Sequence, residues 1–204
     1  MQLTVTTFLS VDGVMQGPGG PNEDRSGGFD RGGWLVPHFD DATGAFMVEV
    51  FDKVDAFLLG RRTYEIFAAY WPKVTDPQDP IASRLNTLPK YVVSKTLGSA
   101  DWQNSTIVNG DVGAEVARLK AMPGRELQVH GSGTLVRTLL ENDLVDELRL
   151  LVFPVIVGAG RHLFPDAGLA TGLRLVDSRT TGSGTAIHIY RPVGRAEFGE
   201  FELS

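Results

Sequence analysis

The sequence predicts an α/β fold in which helices cover both faces of a mixed, mainly parallel sheet. Short apolar runs rich in β-branched residues alternate with segments whose apolar residues recur at helical spacing, the pattern of strand–helix–strand units. Near the end of the chain, the strand-like segments 173–179 and 186–191 are separated by glycines and predict a hairpin that adds antiparallel strands at one edge. This length predicts one domain over residues 1–204.

Each element follows from a local pattern. Strands are predicted where apolar residues alternate or run together, at 3–9, 56–59, 90–94, 105–108, 126–130 and 147–153. Helices are predicted where apolar residues recur every three or four positions, at 38–51, 63–70, 81–88, 112–121 and 132–141. Thr63 is expected to cap the second helix. Ligands of such sheets bind outside the carboxyl ends of the strands, so residues that follow a predicted strand are candidates for a site.

Composition limits the classes of function. The net charge of −6 and the pI near 5.2 argue against a nucleic-acid-binding surface, which needs a basic stripe. No apolar run has the length of a membrane-spanning helix, and the first ten residues lack a basic region followed by an apolar core. We therefore expect no membrane association and a cytoplasmic location. The chain has no cysteine and four scattered histidines, so no metal site is expected.

The glycine-rich loop, residues 12–37, contains eight glycines and three prolines. A linker at this position would leave a single strand outside the domain. Long ordered loops inside compact domains are more often functional than idle. We therefore expect this segment to cover part of a binding site.

Three strand ends carry residues suited to phosphate groups. These residues are Gly60, Arg61, Arg62 and Thr63; Ser94 and Lys95; and Gly131, Ser132, Gly133 and Thr134. Glycines permit close backbone approach, helix starts present free N–H groups, and arginine and lysine neutralise phosphate charge. Taken singly, each motif is also compatible with an ordinary turn, and the G-x-G lacks the third glycine of a dinucleotide fingerprint. Together they would converge on one cleft.

The order of the motifs resembles the dihydrofolate reductase-like superfamily, and more closely the reductase domain of bacterial riboflavin biosynthesis, the RibD C-terminal family, as a stand-alone form. The resemblance rests on TTFLSVDGVM, LLGRRTYE, YVVS, VHGSGTLVRTLL and LVDELRLLVFPVIVGAGRHLF, which together span nearly the whole chain. It implies a dihydrofolate reductase-like fold, an NADPH-dependent reductase activity on a heterocyclic small molecule, and a homodimer.

The resemblance also implies roles for individual residues. It places Gly60, Arg61, Arg62 and Thr63 at the adenosine-side phosphates, Ser94 and Lys95 at the 2′-phosphate and adenine, and Gly131, Ser132, Gly133 and Thr134 at the pyrophosphate. Asp12 and Trp34 would lie near the nicotinamide. Asp12, Asp40 and His130 are candidates for relaying a proton, and an unperturbed histidine has the pKa nearest neutrality. Asp40 is equally explained as a stabilising charge at a helix start.

Two departures from the family concern the substrate. The glutamate that the family carries just before the glycine turn is His130 here, and the arginines that bind the substrate's ribose phosphate are missing from 38–51. The run TDPQDPIASRL is only a distant echo of the family's second arginine motif. Each lost charged hydrogen bond costs ~1.5–3 kcal/mol, which favours an unphosphorylated pteridine, folate-like or aminopyrimidine ring. The alternative is a module of the same fold that binds NADPH or a flavin without turnover.

Overall fold

Eight strands form one mixed sheet. The computed structural model describes residues 1–164, 168 and 170–201. The strands are β1 (Gln2–Ser10), β2 (Val54–Gly60), β3 (Lys90–Val93), β4 (Ser105–Val108), β5 (Glu126–His130), β6 (Glu147–Phe153), β7 (Thr171–Thr180) and β8 (Ala186–Arg195). Their order is β4-β3-β2-β5-β1-β6-β8-β7. Strands β1 to β6 are parallel, while β8 and β7 are antiparallel, which confirms the predicted C-terminal hairpin.

The helices are α1 (Asp41–Asp52), α2 (Arg61–Tyr70), α3 (Pro80–Thr87), α4 (Val112–Ala121) and α5 (Gly133–Glu141). Aspartates cap three of them: Asp40, Asp79 and Asp111 accept hydrogen bonds from first-turn N–H groups. Helix α1 begins at Asp41 rather than at residue 38, because Asp40 binds the N–H of Thr43 and ends the preceding extended segment there. No helix in the described part of the chain is long and apolar enough to cross a membrane.

Apolar side chains form a core on each face of the sheet, as predicted. On one face, α1 and α3 bury residues such as Phe46, Val50 and Leu85 against β2 and β6. On the other face, α4 and α5 pack residues such as Leu119 and Leu139 against β1 and β5. The central strands β1 and β5 are covered on both sides, so their carboxyl ends are fixed rigidly at one edge.

Helix α2 begins directly at the end of β2, and the expectation that Thr63 caps it is wrong. Gly60 occupies the cap position in an extended conformation (φ −71°, ψ 154°), so the strand passes into the helix without an intervening turn. Thr63 lies in the first turn instead, and its Oγ1 accepts a hydrogen bond from the N–H of Ser132 at 3.2 Å. This contact ties the start of α2 to the start of α5.

Candidate functional site

The N-termini of α2 and α5 lie side by side at the carboxyl edge of the sheet. The N–H of Gly60 donates to Ser132 Oγ at 3.0 Å, and the same hydroxyl lies 3.0 Å from Thr63 Oγ1. Gly131 and Ser132 both have left-handed backbone conformations (φ 54° and 55°), which turn the chain sharply from β5 into α5. Each helix start carries a partial positive charge, so their meeting creates a place that favours an anion.

A depression of about 370 Å³ opens at the start of α5. It is lined by Gly133, Thr134, Arg137, Gly160, Arg161, His162 and Leu163. Sequence analysis identified the first two of these residues but missed Arg137, Arg161 and His162. A usable signal for two of them was present, because Gly160 is followed by Arg161 and His162 after a strand, as Gly60 is followed by two arginines. The two guanidinium groups suit the bidentate recognition of a phosphate.

Arg61 and Arg62 point to different parts of the cleft. Arg61 donates from Nε to Glu65 Oε1 and from Nη1 to Thr96 Oγ1, both at 2.7 Å, so its guanidinium lies beside the loop that follows β3. Arg62 donates from Nη1 to Asp24 Oδ1 of the glycine-rich loop at 3.2 Å. Arg61 is therefore bound to the loop after β3, and Arg62 to the glycine-rich loop.

The loop after β3 contains the predicted residues Ser94 and Lys95. Ser94 is buried, and its Oγ accepts hydrogen bonds from the N–H groups of Thr96 (3.2 Å) and Leu97 (2.9 Å), which hold the loop in a turn. Lys95 is exposed on this loop. Since Thr96 also binds Arg61, the structure brings Arg61 close to the loop that carries Lys95.

Asp12 joins the end of β1 to the loop after β6. Its carboxylate accepts hydrogen bonds from Ser10 Oγ at 2.6 Å and from the N–H groups of Val157 (3.0 Å) and Gly158 (2.7 Å). Burial acts to raise the pKa of Asp12, but these hydrogen bonds outweigh it and lower the pKa to about 2. Asp12 is therefore ionised at neutral pH and fixes the backbone beside the depression.

Asp40 is the N-cap of α1, as the alternative interpretation of this residue expected. Hydrogen bonds from the hydroxyl and N–H of Thr43, and then from the N–H of Ser183, hold the pKa of Asp40 far below its usual range. Ser183 belongs to the turn between β7 and β8, so this carboxylate also connects α1 to the C-terminal hairpin. Asp40 does not hold a proton at neutral pH.

His130 is buried, and the expectation of a near-neutral pKa is wrong. Its ring stacks on Phe51 of α1 with centroids 4.8 Å apart, and its Nε2 lies 3.1 Å from Gln128 Oε1. Burial, and secondarily the positive charge of Arg149, lower the pKa of His130 to about 3. The imidazole is neutral across the physiological range, so it does not act as a pH-dependent proton donor there.

The glycine-rich loop is ordered around one buried amide, that of Gln16. Its Nε2 donates to the carbonyl oxygens of Ser26 (2.9 Å) and Asp24 (3.2 Å), and its Oε1 accepts from the N–H of Arg161 at 3.0 Å. The backbone oxygen of Gln16 accepts a hydrogen bond from Trp34 Nε1 at 2.8 Å. Trp34 is buried and makes a T-shaped contact with Phe153, so little of its ring is exposed to a ligand in this conformation.

A larger open groove of about 910 Å³ lies between α2, α3 and the loop before β4. Its lining includes three carboxylates, those of Glu65, Asp76 and Asp101. An acidic rim repels phosphate groups. The smaller basic depression at the start of α5 is thus the better place for a phosphate-bearing ligand.

Comparison with known proteins assigns the family. The model of the RibD C-terminal domain matches residues 1–187. The chain belongs to this family. The sequence is similar to two uncharacterized proteins of Bacillus subtilis (strain 168). YyaP is 29% identical over 184 residues, which cover 89% of this chain and 90% of YyaP. YwjB is 30% identical over 143 residues, which cover 70% of this chain and 77% of YwjB.

Solved structures share the fold. A riboflavin biosynthesis protein from Shewanella sp. PV-4 superimposes with a TM-score of 0.71 at 22% identity, covering 94% of this chain and 99% of that chain. A pyrimidine reductase-like protein from Corynebacterium diphtheriae superimposes with a TM-score of 0.61 at 14% identity, covering 94% and 92%. Family membership and fold therefore agree with the resemblance found in the sequence.

Proposed function

We propose that this member of a reductase-like family is an NADPH-dependent reductase that acts on a flat nitrogen heterocycle held beneath the glycine-rich loop. The observation that supports this most directly is the meeting of the α2 and α5 N-termini at the carboxyl edge of the sheet, with Arg137 and Arg161 beside them. Two helix starts and two guanidinium groups create a positive potential that favours an anionic ligand such as a pyrophosphate.

The residues present fit NADPH, which carries a pyrophosphate and a 2′-phosphate. Gly133, Thr134 and Arg137 would hold the pyrophosphate, because they surround the start of α5. Arg61 and Lys95 would hold the 2′-phosphate, since both lie at the loop after β3. When bound, NADPH would supply the reducing equivalent of the reaction. The chain's part is to orient the two ligands and to exclude water.

Within the described residues, the three candidates for a proton relay have other tasks. Asp12 and Asp40 are ionised because hydrogen bonds stabilise their charged forms, and His130 is neutral within the core. We infer that the proton added to the substrate comes from solvent, and that Asp12 acts by positioning the 157–158 backbone. This proposal replaces the sequence-based expectation that one of these three residues relays the proton.

The substrate we propose is an unphosphorylated ring. Helix α1 carries Asp41, Glu49 and Asp52 but no lysine or arginine. Arg84 of α3 is the arginine of the segment that distantly resembles the family's second arginine motif, and it lies 3.6 Å from Asp52. Asp52 is the last residue of α1, which is followed by the start of β2. Arg84 is thus at the edge of the sheet opposite the site. A pocket without a cation clamp has little means to prefer a phosphorylated substrate.

The second candidate function is a module that binds NADPH or a flavin-like ring without turnover. The protonation states of Asp12, Asp40 and His130 favour it, because none of these three residues changes its protonation state near neutral pH.

We also propose a homodimer, because the edge strand β7 exposes Leu173, Leu175 and Val176 and has no strand on its outer side among the described residues. The cytoplasmic location stays a prediction.

The test follows NADPH absorbance after the protein is mixed with a pteridine, an aminopyrimidine, and the phosphoribosyl form of that aminopyrimidine. We expect consumption with an unphosphorylated ring at least equal to that with the phosphoribosyl compound. A large preference for the phosphoribosyl compound would contradict the proposed substrate class. Tight NADPH binding without consumption would select the binding module, and the absence of NADPH binding would overturn both candidates.

A further inference from the structure

An aspartate of the glycine-rich loop occupies the place between two arginines of the candidate site. Asp24 Oδ1 accepts a hydrogen bond from Arg62 Nη1 at 3.2 Å, and Asp24 Oδ2 accepts one from Arg161 Nη2. The side chain of Asp24 is only 8% exposed, whereas those of Arg62 and Arg161 are 54% and 45% exposed. Arg161 also lines the depression at the start of α5. Arg161 therefore both binds the loop carboxylate and belongs to the lining of the depression.

The loop presents Asp24 as a fixed anion. Ser26 donates to Asp24 Oδ1 from its hydroxyl at 2.6 Å and from its N–H at 3.1 Å, and Gln16 anchors the backbone on both sides. Burial acts to raise the pKa of Asp24, but the Ser26 hydrogen bonds and the charges of Arg161 and Arg62 outweigh it and lower the pKa. The carboxylate is thus ionised where it meets the two arginines.

A second residue of the same loop packs against the start of α5. Met15 lies so close that a Cβ atom at Gly133 would be 2.7 Å from its Sδ, and one at Gly131 would be 3.7 Å from its methyl carbon. Met15 therefore lies against the helix start that would receive a pyrophosphate, and Asp24 binds Arg161 beside it. Both contacts come from one segment and concern one site.

We propose that Asp24 is an internal counter-ion that competes with the phosphate groups of the ligand for Arg62 and Arg161, so that phosphate binding releases the Asp24 segment of the loop from these two arginines. This inference rests on the proposed function only in requiring a phosphate-bearing ligand. A carboxylate and a phosphate placed on the same guanidinium groups repel each other, and such like-charge contacts are costly. Competition is therefore favoured over simultaneous binding, and the contact between Asp24 and the two arginines depends on whether phosphate is bound.

The first test compares Asp24→Asn with wild type in calorimetric titrations with inorganic pyrophosphate and with NADPH. Removing the competing charge is expected to tighten both ligands by about fivefold or more, within the usual range of coupling between two ligands. Asp30→Asn is the matched control, because Asp30 is an exposed carboxylate of the same loop, 3.9 Å from Arg31. It is expected to leave both affinities unchanged. Unchanged or weaker binding by Asp24→Asn would show that Asp24 positions the arginines, and would overturn the inference.

The second test uses the wild-type protein, so it does not depend on the folding of a variant. Trypsin cleavage after the exposed Arg25, followed by mass spectrometry, is expected to accelerate when pyrophosphate is added, while cleavage after Arg118 on α4 stays the same. Slower or unchanged cleavage after Arg25 would overturn the inference. If pyrophosphate behaves as expected and NADPH does not bind, the proposed function fails and the role of Asp24 stands. If NADPH binds wild type and Asp24→Asn alike, the reverse holds.

Discussion

Replacing Arg149 by Met is expected to lower the free energy of unfolding by about 3–5 kcal/mol, the usual result of removing one partner of a buried ion pair. Arg149 is the third residue of β6, toward the amino end of the strand, and its side chain is 4% exposed. Its Nη1 and Nη2 donate to the two oxygens of Glu126 at 2.9 and 2.8 Å, and its Nε donates to Glu147 Oε1 at 2.9 Å. Methionine fills a similar volume, so the loss is mainly electrostatic.

The cost is expected to depend on pH. Without Arg149, the carboxylate of Glu126 keeps, among the described residues, hydrogen bonds from Gln128 (2.8 Å) and Thr4 (3.2 Å). In the wild type, burial acts to raise the pKa of Glu126, but Arg149 outweighs it and lowers the pKa below that of an ordinary glutamate. That stabilisation is present above the unfolded pKa and is lost as pH falls through the folded one. In the variant, burial raises the pKa and Glu126 takes up a proton, so the difference between the proteins is larger at neutral than at acidic pH.

Urea unfolding followed by circular dichroism measures this difference. Arg125→Met is the matched control, because Arg125 pairs with Asp55 at 2.9 Å but is 55% exposed, and its loss is expected to cost at most about 1 kcal/mol. The double variant Arg149→Met with Glu126→Gln is expected to recover part of the stability, since residue 126 then carries no buried charge and Glu147 keeps Arg191 at 3.4 Å. A cost for Arg149→Met no larger than that of the control would refute the reasoning.

Three further predictions concern the site. Arg137→Gln is expected to weaken NADPH binding in calorimetry by ~1.5–3 kcal/mol, and Arg118→Gln on α4 by nothing measurable; equal effects would exclude Arg137 from the phosphate site. His130→Gln is expected to leave the shape of the activity–pH profile unchanged between about pH 5 and pH 8, because the pKa of His130 is about 3. If the wild-type activity changed with a pKa near neutrality and the variant lost that change, His130 would not be neutral. Light scattering is expected to give twice the monomer mass of 22.1 kDa for wild type and the monomer mass for Leu175→Lys; monomeric wild type would argue against pairing through β7.

Local patterns in the sequence are sufficient for most of the fold. The alternation at residues 3–9 and the glycine-separated segments at the C-terminus predict β1 and the β7–β8 hairpin, since strand pairing follows from alternation and turn residues alone. The start of α2 was misplaced because Thr63 has the side chain of a cap. Its hydroxyl instead binds Ser132, a residue 69 positions away, and no local pattern shows such a contact.

The candidate site was predicted in its backbone and less well in its charges. The glycines and helix starts at residues 60 and 131–133 are local features, and the structure brings them together. The burial of His130 depends on Phe51 of a distant helix, so strand alternation could not indicate its low pKa. Asp24 was not identified because its partners Arg62 and Arg161 come from two other segments. Long-range pairing of charges is the information that the sequence pattern lacks.

Calorimetric titration of the wild-type protein with NADPH and with NADH tests the proposed NADPH site most directly. Arg61 and Lys95 lie at the loop that would receive the 2′-phosphate, and that phosphate is what distinguishes the two dinucleotides. We expect much tighter binding of NADPH than of NADH, with Arg61→Ala weakening NADPH by ~1.5–3 kcal/mol and NADH much less. Equal affinities for the two dinucleotides in the wild type would contradict the account.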